Sequence, residues 1–152
     1  MVATVGTIGL ECKMYRNTGT FSSPTAVEVV SVMDVQINME RNVAVLKSRS
    51  TVWEKGLAGL MKGGATIKLQ RNNADTDQIA FLAAVQTNPA PIVGLIFADG
   101  PFATTGTVYQ KGDFIITKFT EGEPLEDGAT VDMEVMPHGK SVNDPTWVTV
   151  GT

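Results

Sequence analysis

A long alternation of apolar and polar side chains between residues 26 and 40 constrains the fold more than any other feature of this sequence. Six of the seven odd positions from Val27 to Met39 are apolar, and five of the seven even positions from Glu28 to Glu40 are polar. A period of two residues predicts β-strand, with one face in the core and the other in water. Because strands usually contain about 5–6 residues, we expect one overlong strand or two strands with a kink between them.

The rest of the chain predicts a mainly β fold, a β-sandwich or barrel of about seven to eight strands with one α-helix packed on it. Further strands are predicted at residues 66–70, 92–97, 107–109, 113–120, 130–136 and 146–150. Residues 41–65 contain four glycines, which argue against a helix. We predict a long loop there, a kind of segment that is usually functional or disordered in a compact domain.

The helix is predicted at about residues 75–87. Asp75 can cap its N-terminus, with Gln78 reaching back toward the cap, and Asn88-Pro89 ends it. The spacing of the apolar side chains predicts a buried face that includes Ile79 and Leu82.

Length and composition predict a single domain over residues 1–152. Residues 1–24 are rich in Gly, Thr and Ser and predict an extended N-terminal arm, while residues 138–152 predict a C-terminal strand or extension. Cys12 is the single cysteine, so no internal disulfide is expected and a reducing cytosol is the expected compartment of folding. Neither a signal peptide nor a membrane span is expected, because the first ten residues lack a basic start and no run of 18 apolar residues occurs.

Residues that could carry chemistry are sparse, and we predict neither an enzyme nor a cofactor or metal site. His138 is the only histidine and is expected to be a solvated loop residue. Cys12 has no second cysteine and is interpreted as a small apolar residue. The acidic residues 121–127 lack the alternation of a calcium loop, and Lys62-Gly63-Gly64 lacks the ending of a phosphate-binding loop.

Charge is segregated along the chain. Residues 41–71 contain seven basic side chains and one acidic one, a net charge of +6, whereas residues 113–134 contain seven acidic side chains and one basic one, a net charge of −6. If the two segments lie on opposite surfaces, copies can bind head to tail and form rings or filaments. The alternative is that the segments are neighbours within one fold. Nucleic-acid binding by the basic segment is a third interpretation, weakened by the overall charge of −4.

Several short motifs, in this order and spacing, resemble phage major tail-tube proteins of the long, flexible-tailed type. The motifs are Lys13-Met14-Tyr15-Arg16-Asn17-Thr18-Gly19-Thr20, Ser23-Pro24, Val32-Met33-Asp34-Val35, Trp53 with Leu57-Ala58-Gly59-Leu60, the helix from Asp75, Phe119, Glu123-Pro124-Leu125-Glu126, Val131, Met133 and Pro137. The resemblance covers most of residues 8–140. Asp127-Gly128 departs from it, and residues 138–152 match nothing in it.

The resemblance implies a structural subunit of the virion tail, assembled in the host cytoplasm and not associated with a membrane. Six subunits would form a ring, each giving strands to a shared inner barrel, and the rings would stack head to tail into a hollow tube for DNA ejection. Implied partners are other copies of the chain, a tape-measure protein, tail terminator and distal tail or baseplate proteins, and genomic DNA in transit without specific binding. In this family the loop near residues 41–65 reaches along the tube axis to the next ring.

Three sets of candidate residues follow from the polar strand faces, the basic segment and the acidic segment. Candidates for the lumen are Glu28, Asp34, Gln36, Asn38, Glu40, Asp132 and Glu134. Candidates for ring stacking are Lys47, Arg49, Trp53, Lys55, Leu57, Leu60 and Lys62. Candidates for an acidic counter-surface are Glu121, Glu123, Glu126 and Asp127. An acidic lumen would repel DNA phosphates across a Debye length of about 8 Å; alternatively, the polar residues face bulk solvent, and Trp53 and the leucines cover their own core.

Two other functions remain open from the sequence. One is a tube protein of a contractile secretion system, which shares the fold of the tail-tube family. The other is a monomeric β-sandwich that acts as a binding or adhesion module.

Overall fold

The computed structural model describes residues 13–50, 52–102, 104–123 and 128–151. These contain eight strands and one helix: β1 (Lys13–Asn17), β2 (Ala26–Glu28), β3 (Val32–Leu46), β4 (Lys55–Gln70), α1 (Thr76–Gln86), β5 (Val93–Ala98), β6 (Val108–Gly122), β7 (Thr130–Pro137) and β8 (Thr146–Thr149). The prediction of a mainly β fold with seven to eight strands and one helix is confirmed. Within the predicted N-terminal arm, residues 13–17 form β1 of the sheet, and β8 forms the strand of the C-terminal extension.

All eight strands belong to one antiparallel sheet with the order β2-β1-β5-β6-β7-β4-β3, and β8 pairs with β6. The long strand β6 connects two parts of this sheet. Residues 109–114 pair with β5, residues 108–111 also pair with β8, and residues 114–122 pair with β7. In the described residues the sheet is not closed into a barrel, because β2 and β3 end the order without pairing with each other.

The main core lies against one face of this curved sheet. Strands from both ends of the order contribute to a single cluster, which α1 completes with Phe81. The fully buried side chains of the cluster include Met14, Ile67, Leu69, Phe81, Leu95, Phe114, Val131 and Met133. Because β1 and β5 share this cluster with β4 and β7, the sheet must curve so that its two halves face each other.

A break at residues 29–31 divides the predicted strand over residues 26–40 into β2 and β3. Val29 turns into the core, and its N–H donates a hydrogen bond of 3.0 Å to the carbonyl oxygen of Met14. The side chain of Ser31 donates to Asp75 at the start of α1 at 2.8 Å. The kink therefore joins the sheet to the helix, which confirms the two-strand interpretation.

The ends of α1 agree with the prediction, whereas its buried face does not. Asp75 Oδ1 caps the helix by accepting from the N–H of Asp77 at 2.9 Å. Gln78 does not reach back to the cap; it is buried, donates to the carbonyl oxygen of Gln70 at 2.6 Å, and accepts from the N–H of Asn72 at 3.1 Å. Phe81 carries the apolar contact with the sheet, and Ile79 is exposed. The predicted face was wrong because these tertiary contacts set the rotation of the helix.

The predicted long loop over residues 41–65 is wrong, because these residues form the outer part of a β-hairpin made by β3 and β4. Two of its four glycines occupy positions where the backbone of another strand comes very close. A Cβ on Gly64 would collide with the carbonyl oxygen of Val135, and one on Gly59 would lie 2.9 Å from the carbonyl oxygen of Asn42. Glycine in a strand can mark such close approaches as well as breaks.

Candidate functional site: a projecting hairpin and a polar sheet face

The hairpin of β3 and β4 extends well beyond the rest of the sheet. Its strands pair from Val32 and Leu69 to Leu46 and Lys55, but β7 pairs with β4 only over residues 65–70. Every described residue from Met39 to Lys62 is exposed. We call residues 39–62 the projecting hairpin. The eight residues from Met39 to Leu46 span roughly 25 Å at the usual rise of about 3.3 Å per residue.

One face of the projecting hairpin is apolar although it is exposed. The alternation along β3 continues the core-facing positions of Val35 and Ile37 into Met39, Arg41, Val43 and Val45. On β4, Met61 opposite Arg41 and Ala58 opposite Val43 lie on the same face. Met39, Val43, Val45 and Met61 are each between 55% and 58% exposed. We call these four residues and Ala58 the apolar hairpin face. Arg41 lies among them, opposite Met61. A two-stranded hairpin alone is at best marginally stable in water, so this exposed and mainly apolar face is a candidate interaction surface.

Two strand edges have no partner strand among the described residues. β3 pairs only with β4 and leaves its outer edge open over residues 32–46. β6 pairs with β5 only up to Phe114, which leaves the same edge open over residues 115–122. These edges bound opposite sides of the four-stranded part of the sheet made by β6, β7, β4 and β3. Open edges present free backbone N–H and C=O groups that can pair with another chain.

Six of the seven lumen candidates lie together. Asp34, Gln36, Asn38 and Glu40 share one face of β3, and Asp132 and Glu134 lie on the same sheet face on β7, with β4 between them. The seventh, Glu28, lies on β2 at the other end of the strand order. Its carboxylate accepts a hydrogen bond from Lys13 at 2.9 Å. That hydrogen bond and, to a smaller extent, the Coulombic attraction of Glu28 raise the pKa of Lys13 above its ordinary value.

Three lysines lie on the same face although none was predicted for the lumen; Lys62 was predicted for ring stacking. Lys68 lies directly opposite both Asp34 and Asp132, Lys62 lies opposite Glu40, and Lys118 lies opposite Glu134. We call this surface the polar face, with the members Asp34, Gln36, Asn38, Glu40, Lys62, Thr66, Lys68, Lys118, Asp132 and Glu134. Its four carboxylates and three ammonium groups leave a net charge of −1. The alternation of Lys62, Thr66 and Lys68 along β4 was the signal that could have revealed the two lysines of that strand.

All seven ring-stacking candidates lie on the projecting hairpin, with Lys47, Arg49, Trp53 and Lys55 at or near its tip. Trp53 is 81% exposed and Leu60 is 84% exposed, so these side chains do not cover the core of their own chain. Lys47 lies 3.4 Å from Glu54, but both side chains are largely exposed, and such pairs contribute about 1 kcal/mol or less.

The structure describes only two of the four candidates for the acidic counter-surface, Glu121 and Glu123. Glu126 and Asp127 lie outside the described residues. Glu121 forms an ion pair of 3.2 Å with Arg71 of the same chain. Arg71 and Lys68 are therefore the two members of the basic segment that meet the acidic segment at this end of the sheet. The other five basic residues lie on the projecting hairpin, away from the acidic segment: Arg41, Lys47, Arg49, Lys55 and Lys62.

His138 has a structural role and is buried, so the expectation of a solvated loop residue was wrong. Its Nε2 lies 3.0 Å from the carbonyl oxygen of Ala90, and its Nδ1 accepts from the N–H of Lys140 at 3.1 Å. It anchors the segment that leads to β8, together with Ser141 and Asn143, which both donate to Asp113. Among the described residues, no group of three or more His, Cys, Asp or Glu side chains could hold a metal ion. No described helix has the length and apolarity needed to cross a membrane.

Solved structures of tails and tubes share this fold. The tail of an empty gene transfer agent (GTA) particle, refined with C6 symmetry, matches with a TM-score of 0.70 and 15% identity over 95% of this chain and 100% of that chain. The SPP1 tail tube matches with a TM-score of 0.74 and 10% identity over 95% and 80%. The sheath-tube complex of an extracellular contractile injection system, PVC, matches with a TM-score of 0.67 and 10% identity over 95% and 93%.

No protein-family model and no curated protein matches the sequence. The identities to the three solved structures lie between 10% and 15%, so the likeness is one of backbone architecture. The chain therefore has the fold of tail and tube proteins.

Proposed function

We propose that this chain is a structural subunit of a phage tail tube, which assembles into stacked hexameric rings that form a hollow conduit for DNA ejection. The observation that carries the proposal is the projecting hairpin, which exposes a mainly apolar face and a strand edge that no other described strand pairs with. Its likeness to the GTA tail with C6 symmetry and to the SPP1 tail tube supports the number and arrangement of copies.

The two open edges provide the ring contact. The outer edge of β3 in one copy pairs with the outer edge of β6, over residues 115–122, in the next copy. The contact is heterologous, and six such contacts close a ring. Four strands from each of six copies form a barrel of about 24 strands, and barrels of 16–18 strands already leave an aqueous channel. Closure removes both open edges.

The polar face lines the channel in this arrangement, because the opposite face of the same four strands is occupied by the core. The net charge of −1 on the polar face of each copy gives no basic excess with which to hold phosphates, and such an excess supplies the non-specific affinity of most DNA-binding proteins. DNA in transit therefore passes without specific binding.

Ring stacking uses the tip of the projecting hairpin. Its basic side chains, together with Trp53, Leu57 and Leu60, contact the acidic counter-surface around Glu121 and Glu123 of a copy in the next ring. Opposite charges on the two surfaces set the docking direction and exclude the reversed stack. The tip is apolar as well as basic, so the contact excludes water and does not rely on exposed ion pairs alone.

The remaining assignments belong to the same proposal. The tube forms around a tape-measure protein, ends at tail terminator and distal tail or baseplate proteins, and resides in the virion tail after assembly in the host cytoplasm. Structures of a tube-terminating cap and of a sheath/tube terminator share the fold, with TM-scores of 0.70 and 0.71, which supports partners of the same architecture at the tube end.

A tube protein of a contractile system is the second candidate, favoured by the match with the PVC sheath-tube complex. The two candidates differ in what surrounds the tube. Mixing assembled tubes with candidate sheath subunits and measuring co-sedimentation separates them, because only the tube of a contractile system is expected to bind a sheath.

Electron microscopy of the purified protein at increasing concentration tests the proposal. We expect rings with sixfold symmetry or hollow tubes from the natural sequence, and only monomers from the double variant Val43→Asp/Val45→Asp, because the two carboxylates would have to be buried without partners. Val142→Asp is the matched control, since Val142 is 94% exposed outside the hairpin, and it should assemble normally. A natural sequence that stays monomeric at every concentration and salt would refute the proposal in favour of a monomeric binding or adhesion module.

A further inference from the structure

A groove of about 450 Å³ lies between the base of the projecting hairpin and the start of β8. The hairpin contributes Met39, Leu60 and Met61 to its lining, and the rest of the chain contributes Phe114, Pro137, Pro145 and Trp147. Its polar members are Lys62, Gln110 and Asp144. Met39, Met61 and Trp147 are 55%, 58% and 47% exposed, so large apolar side chains on both sides of the groove remain in contact with water.

Gly63 and Gly64 lie where β4 leaves the support of the sheet. Both line this groove, and both also line a smaller groove of about 240 Å³ on the polar face, so β4 has open space on its two faces here. Pairing with β7 begins only at Ala65, and toward the tip β4 has β3 as its one described partner. A two-stranded segment with space on both faces is free to bend at this point.

The two glycines differ in the space around them. A Cβ on Gly64 would collide with the carbonyl oxygen of Val135, so close packing against β7 accounts for this glycine. A Cβ on Gly63 would lie 3.8 Å from the carbonyl oxygen of Asn38, an ordinary contact distance, and this is its nearest described neighbour. Glycine weakens a strand, and packing does not require it at position 63. What it supplies there is backbone freedom, which is what a hinge needs.

We propose that Gly63 is a hinge about which the projecting hairpin turns toward Pro145 and Trp147, so that an unassembled copy exchanges between the open arrangement described above and one in which the groove is closed. Closure removes Met39, Met61 and Trp147 from water together, and burial of apolar surface is favourable. Turning the other way would instead close the polar groove, whose lining includes the carboxylates of Glu40 and Glu134. The apolar side therefore sets the direction.

Closure withholds the base of the apolar hairpin face from other copies, because Met39 and Met61 belong to both the face and the groove. Assembly then requires the open arrangement, and the hinge acts as a brake on premature association. This consequence rests on the proposed function, whereas the hinge itself concerns a single copy.

Distances between two spin labels measure the hinge motion in the dilute full chain. Labels at Leu57→Cys and Thr146→Cys, both exposed positions, report the separation of the hairpin from β8, and Cys12→Ser removes the natural thiol. We expect two populations of distance. Gly63→Ala should reduce the shorter one by roughly twofold or more, because a Cβ restricts the backbone. Gly122→Ala, in strand β6 with no described atom closer than 3.7 Å to its Cβ, is the matched control and should leave both populations unchanged.

Two results of the distance measurement would overturn the proposal. A single narrow distance that Gly63→Ala leaves unchanged would show that the hairpin is fixed in the open arrangement. Equal effects of Gly63→Ala and Gly122→Ala would show that the motion does not depend on position 63.

Disulfide trapping tests the direction of closure. Met61→Cys with Trp147→Cys, again with Cys12→Ser, places one thiol on each side of the groove, and a disulfide requires Cα atoms about 4.4–6.8 Å apart. Mild oxidation of dilute protein should give an intramolecular bond, which forms more slowly when Gly63→Ala is added. Glu40→Cys with Glu134→Cys, across the polar groove, is the matched pair and should react more slowly. Faster bonding of this second pair, or only disulfide-linked dimers of the first, would overturn the proposal.

The trapped copy also separates the hinge from the proposed function. It should sediment as a monomer at concentrations where the natural chain assembles, and it should assemble after reduction. If the natural chain never assembles but the trapping results hold, the proposed function fails and the hinge stands. If the oxidised copy assembles as readily as the reduced one, closure is no brake and that part of the proposal is overturned.

Discussion

The single strand β4 passes through two opposite environments. At its base, Ala65, Ile67 and Leu69 are at most 3% exposed, and the strand is paired on both sides. In the projecting hairpin, Leu57, Leu60 and Met61 are at least 56% exposed, and the strand has a partner on one side only. Equally apolar side chains thus lie in different environments: those at the base stabilise the monomer, whereas those of the projecting hairpin stay exposed, and we propose that they contact other copies. Each prediction below tests this division.

The largest contrast is between two identical substitutions at the two ends of β4. Leu69→Ala removes a fully buried side chain from the core and should lower the free energy of unfolding by about 2–5 kcal/mol. Leu60→Ala, at a position that is 84% exposed, should change it by less than about 0.5 kcal/mol. Urea denaturation of the dilute monomer measures both, and equal losses would show that the projecting hairpin packs on its own chain.

A smaller but still large effect is expected at the junction of the base with α1. Gln78 is fully buried and bonds Gln70, Asn72 and Ser31. Gln78→Ala leaves the carbonyl oxygen of Gln70 and the N–H of Asn72 without these partners and should cost about 1–3 kcal/mol. Gln86→Ala, at the exposed end of the same helix, is the control. Circular dichroism during urea denaturation checks the prediction, and a loss no greater than that of the control would contradict it.

The smallest effects on the stability of the monomer concern two ion pairs, one at each end of the hairpin. The pair Arg71–Glu121 at the base is partly buried, whereas Lys47–Glu54 near the tip is largely exposed. Double-mutant cycles to alanine should give a coupling energy of about 0.5–1 kcal/mol for the first pair and close to zero for the second. A larger coupling at the tip than at the base would show that the tip is ordered in the monomer.

Charge reversal at the tip should affect assembly without affecting the monomer. Replacing Lys47, Arg49 and Lys55 by Glu removes the basic surface that faces the acidic counter-surface, so tube formation should require a clearly higher protein concentration, by roughly tenfold if about 1.4 kcal/mol is lost for each stacking contact. Sedimentation measures the concentration of unassembled protein. Replacement of the same three residues by Gln, which removes charge without reversing it, should give an intermediate value, and unchanged assembly of the Glu variant would exclude the charge contact.

Local patterns in the sequence predicted those elements that keep the same pattern of buried and exposed residues along their length. The alternation of Val131, Met133 and Val135 predicted β7, because every second residue there faces the core. Asp75 and Pro89 marked the ends of α1, because capping and chain breaks act within a few residues. No local rule could reveal the rotation of α1, since it is set by contacts with Gln70, Asn72 and Ser31, which are distant or outside the helix.

The hairpin was missed for a physical reason of the same kind. Gly56, Gly59, Gly63 and Gly64 weaken both helix and strand when taken locally, and only the neighbouring strands show why side chains are excluded at Gly59 and Gly64. The candidate residues were grouped better: the structure places six of the seven lumen candidates on one sheet face and all seven ring-stacking candidates on the projecting hairpin. The roles of these residues stay predictions. Glu28 lies apart from the other lumen candidates, and the lumen set did not include Lys62, Lys68 and Lys118. Glu28 shares the parity of Glu40 in the sequence, but the break at residues 29–31 moves it to another strand.

The central claim is that other copies pair with the open edges of the sheet. Hydrogen exchange on monomeric and assembled protein tests this claim most directly. On assembly, the amides that point to the open edges, about every second residue of β3 within residues 32–46 and of β6 over residues 115–122, should become protected by at least about tenfold, because they gain partner strands. Amides of β4 over residues 65–70 should hardly change, since they are already paired on both sides. Protection that does not increase at the two open edges in assembled protein would contradict the account.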